Sequence, residues 1–314
     1  MRGGAAVDLA IVTVSYNTRD LLANCLASAL AGIARSRLEA AIWVVDNASH
    51  DGSPQMVRER FPMVHLLQPG RNLGFAAGNN HALPYLEPSP QQVLFLNPDT
   101  EVLGDALGEL VRFLDGVPAA GACGAALRYP DGSFQHAAFA FPGLMQVVLD
   151  FFPVHGRLLE SRLNGRYPRA WYEGGAPFEV GHPLGAALMV RHAVLDRLGG
   201  FDEGYFMYAE EVDLCWRIQR QGWQVWCVPR AEIVHHAGQS TRQAPDPMFV
   251  ALWRSRFRLF RRMRGARYLR WLRLVVRLGL WAERRRAQVR WRAGEIDRAT
   301  LEGRLQALQE VAAL

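Results

Sequence analysis

The sequence predicts an α/β fold: a mostly parallel sheet flanked by helices, followed by a basic helical extension. Three observations carry that prediction. Apolar, β-branched runs alternate with helix-like segments from the start of the chain. Short polar clusters follow directly on three of those runs. Arginine is concentrated towards the C-terminus, where residues 250–292 hold fifteen arginines against Glu283 for a balance of +14, while the rest of the 314-residue chain carries −8.

The elements follow in order. Leu9–Val14 reads as a buried strand, and Asn17-Thr18 is a helix-capping signal before Leu21–Leu30. Ala41–Val45 is a second strand, Gln55–Phe61 a short helix and Val64–Leu67 a third strand. A glycine-rich turn, Gly70–Gly74, leads into a helix to about Leu83, and Val93–Leu96 is a fourth strand. Residues 115–180 are rich in glycine, proline and aromatics and read as loop around the turn Tyr129–Gly132. Order resumes with Gly185–Val190, a helix at Ala193–Leu198, a helix over Tyr208–Gln221 and a strand at Val225–Val228. A run over 233–240 holds two histidines, a long helical region spans 247–291, and Glu295–Ala313 is a polar helix.

Composition narrows the chemistry. Half the residues are hydrophobic and 21% charged, which suits a packed globular chain of one large or two smaller domains. All 36 basic residues are arginine, so Schiff-base, Walker-lysine and lysine-base chemistries are excluded. Cys25, Cys123, Cys215 and Cys227 are scattered, with no C-x-x-C pair, and the expectation is a reduced, cytoplasmic setting. Residues 1–6 are too short for a signal peptide, and no uncharged apolar run of about 18 residues predicts a spanning helix.

In open α/β sheets ligands bind outside the carboxyl ends of the strands. Ser15–Asn17, Asp46–Ser53 and Asn97–Asp99 each follow a strand and are predicted to share that edge. On the helix over 208–221, Glu211 shares a face with Leu214, Cys215 and Ile218, while Glu210, Asp213 and Arg217 fall on the adjoining side. An acid on an apolar face is costly without a task or a partner, whereas Glu210 suits the helix dipole. Asp99 and a histidine, His235 or its neighbour His236, form a second constellation, one that can share Mg²⁺ or Mn²⁺ with a diphosphate.

These residues carry a resemblance. Val14–Asn17, Asp46–Ser53, Asn72–Asn79, Leu96–Thr100, Gly199–Asp202, Glu210–Arg217 and the 235–240 run occur in the order seen in family 2 glycosyltransferases of the GT-A fold. Within that family the chain resembles the bacterial rhamnosyltransferases, over roughly residues 8–245. The resemblance implies a nucleotide-sugar-binding half at 8–110, an acceptor and catalytic half at 111–245, and a separate basic amphipathic tail at 246–314. It implies that Asp46 reads a uracil or thymine base, with Ser15, Tyr16, Asn17, Asn47, Asp51 and Ser53 around it. Asn72, Gly74, Phe75 and Asn79 match a nucleotide-contacting segment, the glycines allowing close backbone approach.

Asn97-Pro98-Asp99 stands in place of the family's Asp-x-Asp, which makes Asp99 the implied metal ligand and Asn97 a contact to donor sugar or metal-bound water. His235 matches the histidine of an H-x-x-G-x-S pattern completed by Gly238 and Ser240. Glu211 stands where the family usually has the Asp of a Glu-Asp pair, the general base, with Glu210 the other candidate and Asp213 alongside. Gly185, Trp171, His182 and His236 are further candidates for sugar or acceptor contact. The implied activity is an inverting, metal-dependent transfer from a dTDP- or UDP-sugar, foremost dTDP-rhamnose, to a saccharide or polyprenyl-linked acceptor in cell-surface polysaccharide synthesis. A catalytically degenerate scaffold and a sugar nucleotidyltransferase are the alternatives, the latter disfavoured by the absence of lysine.

Within 267–282, Arg270, Arg273 and Arg277 form a charged stripe on an otherwise apolar helix. The expected partner of residues 250–292 is an anionic membrane surface at the inner face of the plasma membrane, rather than nucleic acid. Packing within the chain or in a homodimer is the competing expectation.

Overall fold

The computed structural model describes residues 7–153, 155–237 and 245–314. The first half of the chain runs β1 (Val7–Ser15), α1 (Arg19–Ser36), β2 (Ala40–Asp46), α2 (Ser53–Arg60), β3 (His65–Leu67), α3 (Gly74–Ala82), β4 (Pro90–Leu96) and β5 (Thr100–Val102). It continues through α4 (Ala106–Gly116), β6 (Ala120–Arg128), β7 (Phe134–Gln135), β8 (Ala138–Phe139), α5 (Leu144–Phe151) and α6 (Gly156–Leu159). The second half runs α7 (Arg169–Glu173), β9 (Phe178–Glu179), β10 (His182–Pro183), β11 (Ala187–Arg191), α8 (His192–Leu198) and α9 (Glu210–Arg220). It ends with β12 (Gln224–His235), α10 (Pro245–Arg292) and α11 (Arg298–Ala313).

The chain forms two units. One comprises residues 1–141, 167–206 and 210–240, the other residues 142–166, 207–209 and 241–314. The second unit therefore takes in 142–166 as well as the basic tail, because Val147 and Phe151 of α5 bury their side chains in the same core as Trp253 and Val276 of α10.

The first unit is built on one sheet in the order β3-β2-β1-β4-β11-β6-β12-β5. β3, β2, β1 and β4 are mutually parallel, and so are β6 and β12. β11 lies antiparallel between β4 and β6, so all six parallel strands point the same way. From β1 the chain builds β2 and β3 to one side, then crosses to place β4 on the other. This reversal opens the ligand crevice of doubly wound sheets at the carboxyl ends of β1 and β4. The strands are fully buried at their centres, with Leu9–Val12 and Val93–Phe95 at 0% exposure, which is why they read as unbroken apolar runs.

Three elements depart from the sequence reading. β6, Ala-Gly-Ala-Cys-Gly-Ala-Ala-Leu-Arg, lies inside a stretch read largely as loop. It contains no Val or Ile because its neighbours need the room: a Cβ on Gly124 would collide with Pro183, and one on Gly121 would sit 2.8 Å from Trp223. The strand at Val225–Val228 and the following run form one strand, β12, with a register shift between Val228 and Glu232. The helix expected from Tyr208 starts instead at Glu210, because Tyr208 and Ala209 adopt left-handed backbone angles, φ 69° and 66°.

The second unit has its own core, in which Trp253 stacks on Phe151 at 5.0 Å and packs with Phe260, Leu272, Val276 and Leu280. α11 closes it with Ala307, Leu308 and Val311, and its first turn is capped by Asp297, which accepts from Thr300 N at 2.8 Å. α10 is interrupted at Gly265, φ 80° and ψ 178°. Among the described residues no helix is long and apolar enough to cross a membrane.

Candidate active site

The carboxyl edge of the sheet gathers the predicted residues from separate strands. Ser15 and Asp46 are register partners at the ends of β1 and β2. Asn97 N donates to Ala186 O at 2.9 Å, which brings the end of β4 beside the start of β11, next to Gly185. His235 pairs with Thr100 across β12 and β5, so Asp99 and His235 meet although 135 residues of chain lie between them.

The loops at this edge brace one another. Asn17, at φ 52°, accepts from His50 N at 2.8 Å, and its own N–H donates to Ser49 Oγ at 3.0 Å. Asp51 accepts from Arg19 N at the start of α1 and from Ser53 N and Oγ at the start of α2. Burial works against its carboxylate, but those hydrogen bonds outweigh it and hold its pKa below the ordinary value. The capping of α1 expected from Asn17-Thr18 thus falls to Asp51, while Thr18 shares a 3.1 Å hydrogen bond with the buried Ser15. Asn47 spans two loops, donating to Gly74 O and accepting from Leu73 N. Asp46 is 1% exposed; one carboxylate oxygen accepts from Ser49 N and the other has no partner among the described residues. Tyr16 is half-buried beside them.

The segment 72–79 is largely occupied with the protein itself. Asn72 accepts from Gly74 N, Asn79 donates to Phe75 O, and Phe75 packs edge-on to Phe201. Gly74, at φ 79°, is where the backbone runs closest to a neighbour: Phe75 N donates to Phe206 O, and a Cβ on Gly74 would collide with that oxygen. Gly78 likewise lets α3 approach Val14, at 3.0 Å from a Cβ placed there. These glycines bring protein against protein.

Asp99 and His235 form the second cluster. Asp99 Oδ1 lies 3.5 Å from His235 Nε2, both side chains being about nine-tenths buried. Burial lowers the His235 pKa in spite of the nearby Asp99 charge, so the imidazole is held neutral. Its Nδ1 lies 3.3 Å from Gln135 Oε1, and a ring proton on Nδ1 donated to that oxygen would leave the Nε2 lone pair towards Asp99. In that tautomer two acceptors face each other, an arrangement that a cation between them would satisfy. Adjacent ligands of an octahedral cation with bonds of about 2.1 Å lie about 3 Å apart, close to the observed separation. The pair fits two ligands of a divalent cation, with Asn97 Oδ1, buried and without a protein partner, close in sequence. Among the described residues no third His, Cys, Asp or Glu joins them, so further ligands would come from substrate or water. His236 is engaged elsewhere, at 2.9 Å from Glu101. Gly238 and Ser240 lie outside the described residues.

The acids at the start of α9 separate into three environments. Glu210 is 5% exposed, its Oε2 has no protein partner, and burial together with the neighbouring Glu211 raises its pKa well above the ordinary value. Glu211 is half-buried over Gly185, where a Cβ would stand 3.6 Å from its Cδ, and burial raises its pKa to about 7. The burial order is thus the reverse of the sequence reading, which placed Glu211 on the inner face. Asp213 is fully buried and ion-paired to Arg217 at 2.7 Å, which also donates to the carbonyls of Leu198 and Gly200. That geometry gives Asp213 a structural part.

The weaker candidates are packed. His182 stacks on Phe139 and Phe141, and burial pushes its pKa down to about 4. Trp171 packs on Tyr167 and Phe178 with 40% of its surface exposed, and Tyr172 donates to Ala138 O from inside the same aromatic cluster. Asn80 was not among the predicted residues, yet it clamps Phe201 through both its N–H and its carbonyl. Its signal in the sequence is the Asn79-Asn80 pair.

A doubly wound sheet with an acid-lined carboxyl edge is the frame of a glycosyltransferase of the GT-A type. Comparison with known proteins agrees. The Glycosyl transferase family 2 model matches residues 10–182. An N-acetylglucosaminyl-diphospho-decaprenol L-rhamnosyltransferase of Mycobacterium tuberculosis is 32% identical over 263 residues, covering 79% of this chain and 82% of that protein. A rhamnosyltransferase of Escherichia coli (strain K12) is 27% identical over 200 residues, covering 61% of this chain and 71% of that one. Among solved structures, a mannosyltransferase from Pyrobaculum calidifontis in complex with GDP-Man and Mn²⁺ superposes with a TM-score of 0.59 at 18% identity, covering 99% of this chain and 87% of that one. The chain belongs to glycosyl transferase family 2, and it is a glycosyltransferase.

Proposed function

We propose that the enzyme transfers rhamnose, with inversion, from a dTDP- or UDP-linked donor to a polyprenyl-diphosphate-linked saccharide in cell-surface polysaccharide synthesis. The observation that carries the metal-dependent part of this reading is the Asp99–His235 pair, a buried carboxylate and a buried imidazole 3.5 Å apart. The names of the two rhamnosyltransferase relatives support the sugar, and that of the mycobacterial one supports the lipid-linked acceptor. Such an acceptor would bring the enzyme to the inner face of the plasma membrane.

In this mechanism Asp46 receives the base N–H through its unpartnered oxygen. Asp99 and His235 would hold a divalent cation, which would supply positive charge to neutralise the leaving diphosphate. Glu211, raised to about 7, takes the proton of the acceptor hydroxyl as that oxygen attacks the anomeric carbon. The bond from that carbon to the diphosphate oxygen breaks, and the nucleoside diphosphate leaves with the electron pair. Glu210, neutral and more deeply buried, lines the site without exchanging a proton with substrate. The poised Glu211 argues against a degenerate scaffold.

Calorimetric titration with dTDP-rhamnose, UDP-glucose and UDP-N-acetylglucosamine, each with Mn²⁺ and with chelator, tests the reading. Binding of dTDP-rhamnose that needs Mn²⁺ and disappears in folded Asp99→Ala protein is the expected result. Tight donor binding that ignores both chelator and the substitution would remove Asp99 and His235 from their roles.

A further inference from the structure

α10 beyond Gly265 has two apolar faces, and only one of them is buried. Leu269, Leu272, Val276, Gly279, Leu280 and Ala287 point into the core of the second unit, where Gly279 is pressed so closely on Phe151 that a Cβ would enter its ring. On the opposite side stand Trp271, Leu274, Leu278, Trp281 and Val289, between 49% and 65% exposed. At about 100° per residue these five fall within an arc of about 80°. The separation corrects the sequence picture of one apolar surface cut by a single arginine stripe.

The arginines are divided as well. Arg273 leaves the stripe, donating to Leu314 O at 3.1 Å, and Arg286 pairs with Glu283 and donates to Phe151 O. Arg270, Arg277 and Arg284, spaced by seven, line one flank of the exposed apolar face, Arg267 precedes it, and Arg285 stands within it between Trp281 and Val289. Arg285 also stacks over Trp281 at 5.4 Å. Among the described residues no acid pairs with Arg270, Arg277 or Arg284, and all three are exposed. Glu283, the only acid between 267 and 292, is turned to Arg286 and Arg304.

We propose that this face, from Trp271 to Val289, docks in the plane of an anionic phospholipid surface. Charge complementarity selects the occupant. A protein groove would cover the leucines and leave a row of arginines to be matched by acids in heptad register, whereas a bilayer offers phosphates along the whole flank and hydrocarbon beneath them. The two tryptophans are of the type that settles at headgroup depth. The proposal is independent of the transferase reading, since it uses no residue of the first unit.

Co-sedimentation of the full chain tests it, using vesicles of phosphatidylcholine alone and of phosphatidylcholine with about one-third phosphatidylglycerol. The wild type is expected to bind the anionic vesicles, and to release as salt shortens the Debye length from about 10 Å at 0.1 M. Arg270→Gln/Arg277→Gln/Arg284→Gln should weaken binding roughly 100-fold, at about a factor of five or more per arginine. Leu278→Ser/Trp281→Ser should abolish it, and light scattering should show a monomer throughout. These side chains are exposed, so thermal melts should match the wild type and distinguish lost docking from lost folding. Failure of the wild type to bind anionic vesicles, or wild-type binding by both folded variants, would overturn the proposal. So would a dimer that Leu278→Ser/Trp281→Ser converts to monomer without any change in vesicle binding.

Discussion

In the second unit Arg304 reaches Asp246 and Glu283 while lying 4.2 Å over Phe249, and Arg256 bonds Asp150 while covering Trp253. In the first, Asp46, Asn97 and Glu210 end in buried oxygens that no group among the described residues reaches. An orphaned buried acceptor costs about 1–3 kcal/mol, so several gathered at one edge mark a place that a bound group could complete. Arg256 and Arg304 are satisfied by acids of their own unit, where Trp253 Nε1 is the buried polar atom left without a partner among the described residues, whereas the first unit's unpartnered oxygens fall on residues proposed to receive a ligand. The all-arginine composition sharpens the contrast, because no flexible lysine is available to reach those oxygens.

Trp253→Ala tests the comparison hardest. It empties the centre of the second core, at 1% exposure, and should cost about 3–5 kcal/mol in that unit's unfolding. Donor binding by the first unit should survive at temperatures where the variant remains folded. A loss of donor binding in step with the melt would show that the two cores stand or fall as one.

Glu211→Gln acts on the other side. It should lower the transfer rate roughly 10²–10⁴-fold with the fold intact. The wild-type rate should fall as pH drops below about 7, because a carboxyl raised from 4.5 to about 7 by burial is protonated there and cannot accept the acceptor's proton. The sign for stability is opposite. The folded state ionises Glu211 less readily than the unfolded chain, so this burial is unfavourable above pH 4.5 and its penalty is fully present above about 7. Glu211→Gln should therefore gain melting temperature relative to wild type at pH 8 and gain none at pH 4. An unchanged pH profile in the variant would hand the base role to another group.

Saturating donor with Mn²⁺ should raise stability by about 2.7 kcal/mol at a hundred times Kd, read as a shift in the first unit's melt alone. A comparable shift in the second unit would break the contrast. The smallest effect is expected from Ala209→Gly. The left-handed angle at Ala209 carries strain that glycine relieves, a gain of about 1 kcal/mol in a chemical-denaturation curve. Any fall in transfer rate that accompanies this gain would mean that the strain holds the start of α9 in place.

Much of the first unit was legible because its parallel strands are buried on both faces and announce themselves as apolar runs, each closing on polar residues at the edge where ligands bind. Asp46, Asn97, Asp99 and the Glu210–Glu211 pair all stand at that edge or over it. What could not be read is equally physical. β6 is written in alanine and glycine because Pro183 and Trp223 press on it, and that pressure comes from residues far along the chain. α5 reads as part of a loop until Trp253 supplies the other half of its core. That Asn72 accepts from Gly74 N and Asn79 donates to Phe75 O is carried by hydrogen-bond geometry and not by residue type. The two faces of α10 could not be separated by periodicity alone, since both are apolar.

The bracing of the edge by Asp51, Asn17 and Asn47 has a consequence for turnover. Each of these side chains ties one loop to the next, so the loops lose their conformational freedom when the chain folds. Ordering a residue's backbone costs about 1–2 kcal/mol. Here that cost falls once, on the folding equilibrium, and is not repeated each time a nucleotide arrives. A nucleotide docking against these loops, as proposed, would find them preorganised. The enzyme can therefore pass through many catalytic cycles on a single investment of chain entropy.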